Sequence, residues 1–220
     1  MARIALIGGH GKVALHLERL LADAGHETSA LIRNPDHAAD VRAAGGNPVV
    51  ADVEHLDVAA FADLLRGHDA VVWSAGAGGG NPDRTYAVDR DAAITSMTAA
   101  QQAGVRRYVM VSYFGAGPAH GIPEDNSFFP YAQAKAAADT HLRATDLDWT
   151  ILGPGPLTAD PATGLIDTGA AAAGGRVSRA DVAAVAAAVL EDPRTVHRTI
   201  EFNNGRTPIA DVLDVLGTNS

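Results

Sequence analysis

Tyr131-Ala132-Gln133-Ala134-Lys135 sets a phenol and an ammonium four residues apart, on one face of any helix that carries them. A free tyrosine, with a pKa of about 10, is a poor acid at neutral pH. A cation beside it stabilises the phenolate and brings the proton toward the working range. Ser112 lies upstream at the end of an apolar stretch, where its hydroxyl can donate to a developing substrate oxygen. Ser112, Tyr131 and Lys135 therefore form a candidate catalytic set that would polarise and protonate a carbonyl oxygen. Tyr-x-x-x-Lys also occurs by chance on many helices as an ordinary pair, so position has to distinguish the two readings.

A second constellation lies near residue 8. Residues 4–7 are apolar, Gly8-Gly9-His10-Gly11-Lys12-Val13-Ala14 follows, and Leu15, Leu17 and Leu20 open an amphipathic helix. Strand, glycine turn and helix in this order build a cradle for a dinucleotide diphosphate. Gly8 takes the tight turn, Gly11 lets the backbone approach the phosphates, and Ala14 lets helix and strand pack closely. The helix N-terminus offers unpaired N–H groups and a positive dipole end. Gly8, Gly9, His10, Gly11, Lys12 and Val13 are the expected cofactor contacts of this loop, with Lys12 either a phosphate contact or a solvated first-turn lysine.

The elements that must position these groups alternate. Near-continuous apolar strands are expected at 4–7, 29–33, 48–51, 70–74, 108–111 and 149–152, and helices at 13–24, 35–44, 58–66, 84–103 and 131–145. Right-handed βαβ crossovers then give an α/β fold, a Rossmann-like doubly wound parallel sheet flanked by helices on both faces. The alternation breaks after residue 152. Residues 153–175, rich in glycine, proline and alanine, are expected to form irregular excursions at the substrate side. Ser178-Arg179-Ala180-Asp181 reads as a capping box for a helix over 181–190, and a strand at 199–203 and a short helix at 208–216 finish the chain. The whole of 1–220 reads as one domain, with substrate-side segments about 113–130 and 154–178.

Ligands of such sheets bind beyond the carboxyl ends of the strands. The second strand ends at Arg33 with no acid until Asp36, which favours a 2′-phosphate, and hence NADP over NAD, through a charge-assisted contact. Asp52 and Val53 follow the third strand, where the carboxylate would meet the adenine amine or instead cap the next helix. Ser74, Ala75, Gly76 and Ala77 follow the fourth as small residues that let the backbone approach the cofactor, and Gly78-Gly79-Gly80 continues them as a flexible loop.

Assembled, these features resemble the short-chain dehydrogenase/reductase superfamily, and more narrowly its atypical NAD(P)H-binding group of NmrA-like and sugar epimerase-like proteins. Segments 88–109, 148–158 and 178–183 agree as well. The resemblance implies that Lys135 bonds the nicotinamide ribose, that Pro154 and the turn after it approach nicotinamide, and that Ser112 and Tyr131 act on the substrate oxygen. Two positions depart from it: Tyr113 stands where relatives often repeat a small hydroxyl residue, and Gly153 where they often carry arginine. The expected activity is an NADP-dependent oxidoreductase of a small carbonyl or hydroxyl compound, with NAD as the other cofactor. A redox-sensing binding protein without robust turnover and an epimerase-like enzyme using NAD remain as alternatives.

Composition narrows the field. Cysteine is absent, which excludes disulfides and thiolate chemistry. A formal net charge of −9, from 26 acids and 17 bases, argues against a nucleic-acid surface. The alanine-rich run 182–190 is far shorter than the ~20 apolar residues that span a bilayer. The nine histidines lack metal-ligand spacing, so no metal is expected. The segment 114–130 carries His120, Phe128 and Phe129 beside the substrate, as a pocket wall or as pins to the core. A cytoplasmic monomer or homodimer acting on a small molecule, with no membrane or nucleic-acid partner, completes the expectation.

Overall fold

The computed structural model describes residues 1–78 and 81–218, so Gly79 and Gly80 of the expected glycine loop lie outside the described residues. The chain runs β1 (Arg3–Ile7), α1 (Lys12–Asp23), β2 (Glu27–Ile32), a 3-10 turn and α2 (Ala38–Ala43), then β3 (Asn47–Val50), α3 (Val58–Leu65) and β4 (Ala70–Trp73). Next come α4 (Pro82–Thr85), a π-helical segment Tyr86–Ala92, α5 (Ala93–Ala103), β5 (Arg107–Val111), α6 (Phe129–Arg143) and β6 (Asp148–Pro154). The last part holds β7 (Leu157–Thr158), β8 (Leu165–Thr168), β9 (Val177–Ser178), α7 (Arg179–Glu191), β10 (Arg198–Asn204), β11 (Thr207–Pro208) and α8 (Ile209–Thr218).

The main sheet has nine strands in the order β11-β8-β10-β6-β5-β4-β1-β2-β3. β1 to β6 and β10 pair in parallel, while β8 runs antiparallel to β10 and to β11. The order turns back between β1 and β4, so the crevice beyond their carboxyl ends is the switch point of the sheet. Strand β1 shows why the apolar runs are continuous. Ala5 and Ile7 enter the core beneath α3 and α5, whereas Ile4 and Leu6 enter the core with Leu17, Val182 and Val185 of α1 and α7. A strand covered on both faces has no solvent side to alternate toward.

Three expectations are corrected here. The stretch 153–175 is not wholly irregular: β8 adds to the sheet edge, and β7 pairs with β9 in a separate two-stranded ribbon. Asp181 organises it by accepting from the amides of Thr163 and Gly164 and from the Thr163 hydroxyl. The expected single helix over 84–103 is instead three consecutive pieces with a π-helical centre, which turns Val88 and Asp89 inward. Such widened turns recur at functional sites. The capping box is also only half formed. Ser178 Oγ accepts the Asp181 amide at 2.9 Å, but the Ser178 amide donates to Asn204 Oδ1 instead. Among the described residues no helix is long and apolar enough to cross a membrane.

Candidate active site

The loop after β1 is shaped by close approach. Gly8 has φ +85°, and a Cβ on it would lie 2.6 Å from the Ala75 Cα. A Cβ on Gly9 would lie 2.5 Å from that of Ala30. The amides of Gly8 and Gly9 both donate to the Leu31 carbonyl, and the Gly11 amide donates to Gly8 O at 2.9 Å. Gly11 then caps α1 without a side chain, and the first turn contains no acid. The amides of Lys12, Val13 and Ala14 have no partner within the helix and carry its positive end. A backbone loop in which Cβ atoms are excluded, aimed by a bare helix N-terminus, fits a diphosphate.

Two cavities meet over this loop. The first, about 330 Å³, has Arg33, Asp52, Val53 and Val88 among its walls, and the second, about 260 Å³, has Lys12, Ser112, Tyr131 and Arg179. Gly11, Ser74, Ala75 and Gly76 belong to both. The β1–β4 register places Ile7 beside Trp73, and the β5–β6 register places Val111 beside Leu152, so Gly8, Ser74 and Ser112 all leave one edge of the sheet. A third hollow of about 710 Å³, lined by Asn81, Thr85 and the segment from Glu124 to Phe128, reaches Tyr131 from the other side.

In the first cavity Arg33 is half exposed, with the Glu54 carboxylate 3.8 Å away. Glu54 also meets Arg84 at 3.4 Å, and Arg84 donates to the Ala77 carbonyl. Asp52 lines the cavity, but its carboxylate is engaged by the Glu54 amide at 3.3 Å and the His55 ring at 3.0 Å. It therefore serves its own turn first and does not cap the next helix, whose N-cap is Asp57, accepting the Ala60 amide at 2.8 Å. His10 stacks on His37 with ring centroids 3.6 Å apart and shares a hydrogen bond with Asp40 at 2.8 Å.

Ser112 and Tyr131 share the wall of the second cavity; Lys135 lies behind that wall. Its ammonium, 1% exposed, donates to the Val111 carbonyl at 2.9 Å and to the Met110 sulfur at 3.1 Å. The expected effect of Lys135 on the phenol is corrected. Burial, joined by the charges of Asp89 and Asp139 and by Tyr113, raises the Tyr131 pKa above its ordinary value. Burial lowers that of Lys135, against the opposing pull of the same two aspartates. Pro154 is likewise set back: it is buried and accepts the Phe114 amide at 2.8 Å, while Leu157 of the following turn reaches the cavity.

The two departures from the family pattern have physical reasons. A Cβ on Gly153 would lie 3.0 Å from Glu201 Cγ and 3.2 Å from the Tyr113 carbonyl, leaving little space for an arginine stem. The Tyr113 ring packs edge-on against Phe128 at 5.3 Å and tilts against Tyr131 at 5.6 Å. It thus fills the space behind the phenol. His120 accepts the Ile122 amide and meets Phe129 edge-on, which makes it a pin for its loop.

Four residues of the site escaped the sequence reading. Asp139 accepts the Ser112 hydroxyl at 2.6 Å, Asp89 accepts the Ala77 amide at 2.9 Å, Glu54 stands between two arginines, and Arg179 opens α7 toward Ser112. Asp139 had a readable signal, since it repeats the four-residue spacing Tyr131–Lys135 along one helix face. Asp89 had none, because its inward turn depends on the π-helical segment.

Comparisons with known proteins agree with this geometry. A family described as NAD(P)H-binding matches residues 8–193. A Bacillus subtilis protein named as an uncharacterized sugar epimerase, YhfK, is 36% identical and covers 97% of this chain and 100% of its own length. Among solved structures, a Bacillus halodurans candidate NAD-dependent epimerase/dehydratase superposes with TM-score 0.90 at 33% identity, covering 98% of this chain and 100% of that one. The Lactococcus lactis oxidoreductase ylbE gives 0.85 at 29% identity, with 97% and 96% covered. The Escherichia coli anaerobillin reductase ChuY gives 0.75 at 25%, with 92% and 97% covered.

Proposed function

Because the chain belongs to the NAD(P)H-binding family, we propose that it is an NADP-dependent oxidoreductase acting on a small carbonyl or hydroxyl compound held against Ser112 and Tyr131. One observation carries this reading: the cavity of the diphosphate loop and the cavity of Ser112 and Tyr131 share four walls. When bound, the nicotinamide supplies hydride chemistry. The protein's own groups bind, orient and polarise. Gly8, Gly9 and Gly11 shape the loop, the unpaired amides of Lys12 and Val13 at the start of α1 hold the diphosphate, and Ala75 and Gly76 leave room for the ribose. Ser112 donates to the substrate oxygen beside the Tyr131 phenol.

The preference for NADP rests on Arg33, half exposed at the cavity mouth beside the Glu54 carboxylate, whose guanidinium suits a 2′-phosphate. The atypical short-chain dehydrogenase/reductase grouping belongs to the same reading, supported by the Tyr131–Lys135 spacing on α6. A second reading, cofactor binding without robust turnover, is favoured by the buried phenol and by a lysine already held by the Val111 carbonyl. NADPH oxidation with a panel of aldehydes, ketones and quinones separates the two. Turnover lost in Tyr131→Phe and Ser112→Ala supports the enzyme, and tight NADPH binding with no turnover on any of them supports the sensor.

A further inference from the structure

Behind Ser112 lies a buried cluster in which Lys135 meets two carboxyls that the sequence reading did not place in the site. Asp139 is 0% exposed, Asp89 and Lys135 are 1% exposed, and they come from α6 and the π-helical segment. One ammonium faces two carboxyls, so one cation can balance only one carboxylate. Arg84 and Arg143 add positive charge near Asp89 and Asp139 but donate to the Ala77 carbonyl and the Thr199 hydroxyl, so a second buried carboxylate has no ammonium of its own, which favours the protonated form.

The hydrogen-bond partners decide which of the two keeps it. Asp89 receives the Ala77 amide, which can only donate, and so is satisfied when ionised. Asp139 meets the Ser112 hydroxyl, which can accept as well as donate, and its Oδ1 has no partner. A bare carbonyl oxygen is less costly to bury than a bare carboxylate oxygen. The groups facing Asp139 point the same way. Tyr108 of β5, Tyr113 of the following loop and Tyr131 are neutral phenols, and Lys135 is shared with Asp89, leaving Arg143 as its other cation. Burial raises the Asp139 carboxyl above the ordinary carboxylate range, against Lys135, the Ser112 hydrogen bond and Arg143; burial raises Asp89 too, so the hydrogen-bond partners are what separate the two.

We propose that Asp139 stores the proton that Ser112 passes to the bound oxygen, so that Asp139 and Ser112 together, rather than the Tyr131 phenol, are the proton source of this site. The inference rests on the oxidoreductase reading and deepens it. In the reducing direction the carbonyl carbon gains hydride from the reduced nicotinamide, and the carbonyl oxygen takes the Ser112 hydroxyl proton. The Ser112 oxygen takes the Asp139 carboxyl proton, leaving a carboxylate beside the Lys135 ammonium. Ser112 faces the cavity, so solvent returns a proton to Asp139 along the same pair once product has left. Asp139 acts through Ser112 and is a positioning and proton-storing residue.

The test needs no turnover. Protein carrying carbon-13 at aspartate side-chain carboxyls is examined by infrared and carbon NMR at neutral pH, where an un-ionised carboxyl is distinct from a carboxylate. The expected result is one un-ionised aspartate signal that vanishes in Asp139→Asn and moves in Ser112→Ala, since the Ser112 hydroxyl touches Asp139 and the Asp89 carboxyl is bonded to the Ala77 amide instead. The Ser112→Ala measurement decides the matter if Asp139→Asn does not fold. An un-ionised signal absent from wild type, or unchanged in both Asp139→Asn and Ser112→Ala, overturns the proposal while leaving the oxidoreductase reading intact. Where the carbonyl panel yields turnover, Asp139→Asn lowers kcat about 100-fold with NADPH affinity retained. It also removes the decline of kcat that wild type shows as pH rises through the Asp139 titration, and Asp139→Glu restores that limb. A pH profile identical in wild type and Asp139→Asn overturns the relay. Absence of turnover in wild type defeats the reading on which it rests, and the carboxyl signal still reports where the proton resides.

Discussion

Glu18 is the carboxyl whose removal has the clearest calculable effect. It sits on α1, one and a half turns below the diphosphate loop, fully buried, with neither carboxylate oxygen partnered. Gly46 presses against it so closely that a Cβ there would lie 3.0 Å from Glu18 Oε2. Burial, partly opposed by the Arg19 charge, pushes its pKa from 4.5 up to about 8. The folded protein therefore holds this proton at neutral pH, while the unfolded chain releases it. The sign follows: stability contributed by the protonated group is complete below pH 4.5 and is lost as pH rises toward 8. Each pH unit in that window costs about 1.4 kcal/mol, so between pH 5 and pH 7 wild type loses on the order of 3 kcal/mol through this one group. Glu18→Gln keeps the shape and cannot ionise, so it escapes the loss. Urea unfolding of both proteins at pH 5 and pH 7 should show the variant gaining about 3 kcal/mol on wild type between the two conditions, equivalent to roughly 6–12 °C in Tm for a chain of this size. A stability difference that is the same at both pH values would refute the reasoning, because it would mean that Glu18 is ionised in the folded protein.

Three further outcomes follow from the same geometry. Gly8→Ala must place a Cβ against the Ala75 backbone at φ +85°, and should abolish NADPH binding by calorimetry while lowering stability by at least about 1–3 kcal/mol. Arg33→Ala should weaken NADPH about 10- to 100-fold, the equivalent of one charge-assisted contact of about 1.5–3 kcal/mol, and leave NADH affinity unchanged; equal losses would remove the 2′-phosphate assignment. Asp181→Ala breaks the bonds to Thr163, Gly164 and Ser178, so hydrogen exchange should quicken across β7, β8 and β9 while the amides of β1 and β4 stay protected. These bonds hold the Asp181 pKa below its ordinary value, so their contribution is present at neutral pH and fades as pH falls below about 4.

Much of the frame was written in local pattern. The apolar runs of β1, β2, β4 and β5 declare strands buried on both faces, because a strand between two helical layers is apolar throughout. Gly8 and Gly9 declare the glycine turn for an equally local reason: a Cβ on either would lie within 2.6 Å of a neighbouring atom, so the backbone there excludes side chains. The Ser112 and Tyr131 pair was legible too, since the end of one strand and the start of the next helix are neighbours in any sheet of this topology. The strand β8 was not legible. A four-residue antiparallel edge inside a glycine- and alanine-rich stretch has no periodicity of its own, and its pairing to β10 depends on Asp181 drawing Thr163 and Gly164 into place.

Electrostatics divided most sharply. The four-residue spacing put Tyr131 and Lys135 on one face and implied an ammonium lowering the phenol. Whether it does so depends on what else is buried beside them, of which spacing shows Asp139, on the same helix face, but neither Asp89 nor the burial itself. The tertiary structure buries the phenol and brings Asp89 in from the π-helical segment to join Asp139 of α6, and burial first, then these charges, raise the Tyr131 pKa. Residue types and their order along the chain determine which groups are available and which elements carry them. Folding alone decides which charges share a dry environment, because a charge acts through distance and burial, and both are set by segments remote in sequence.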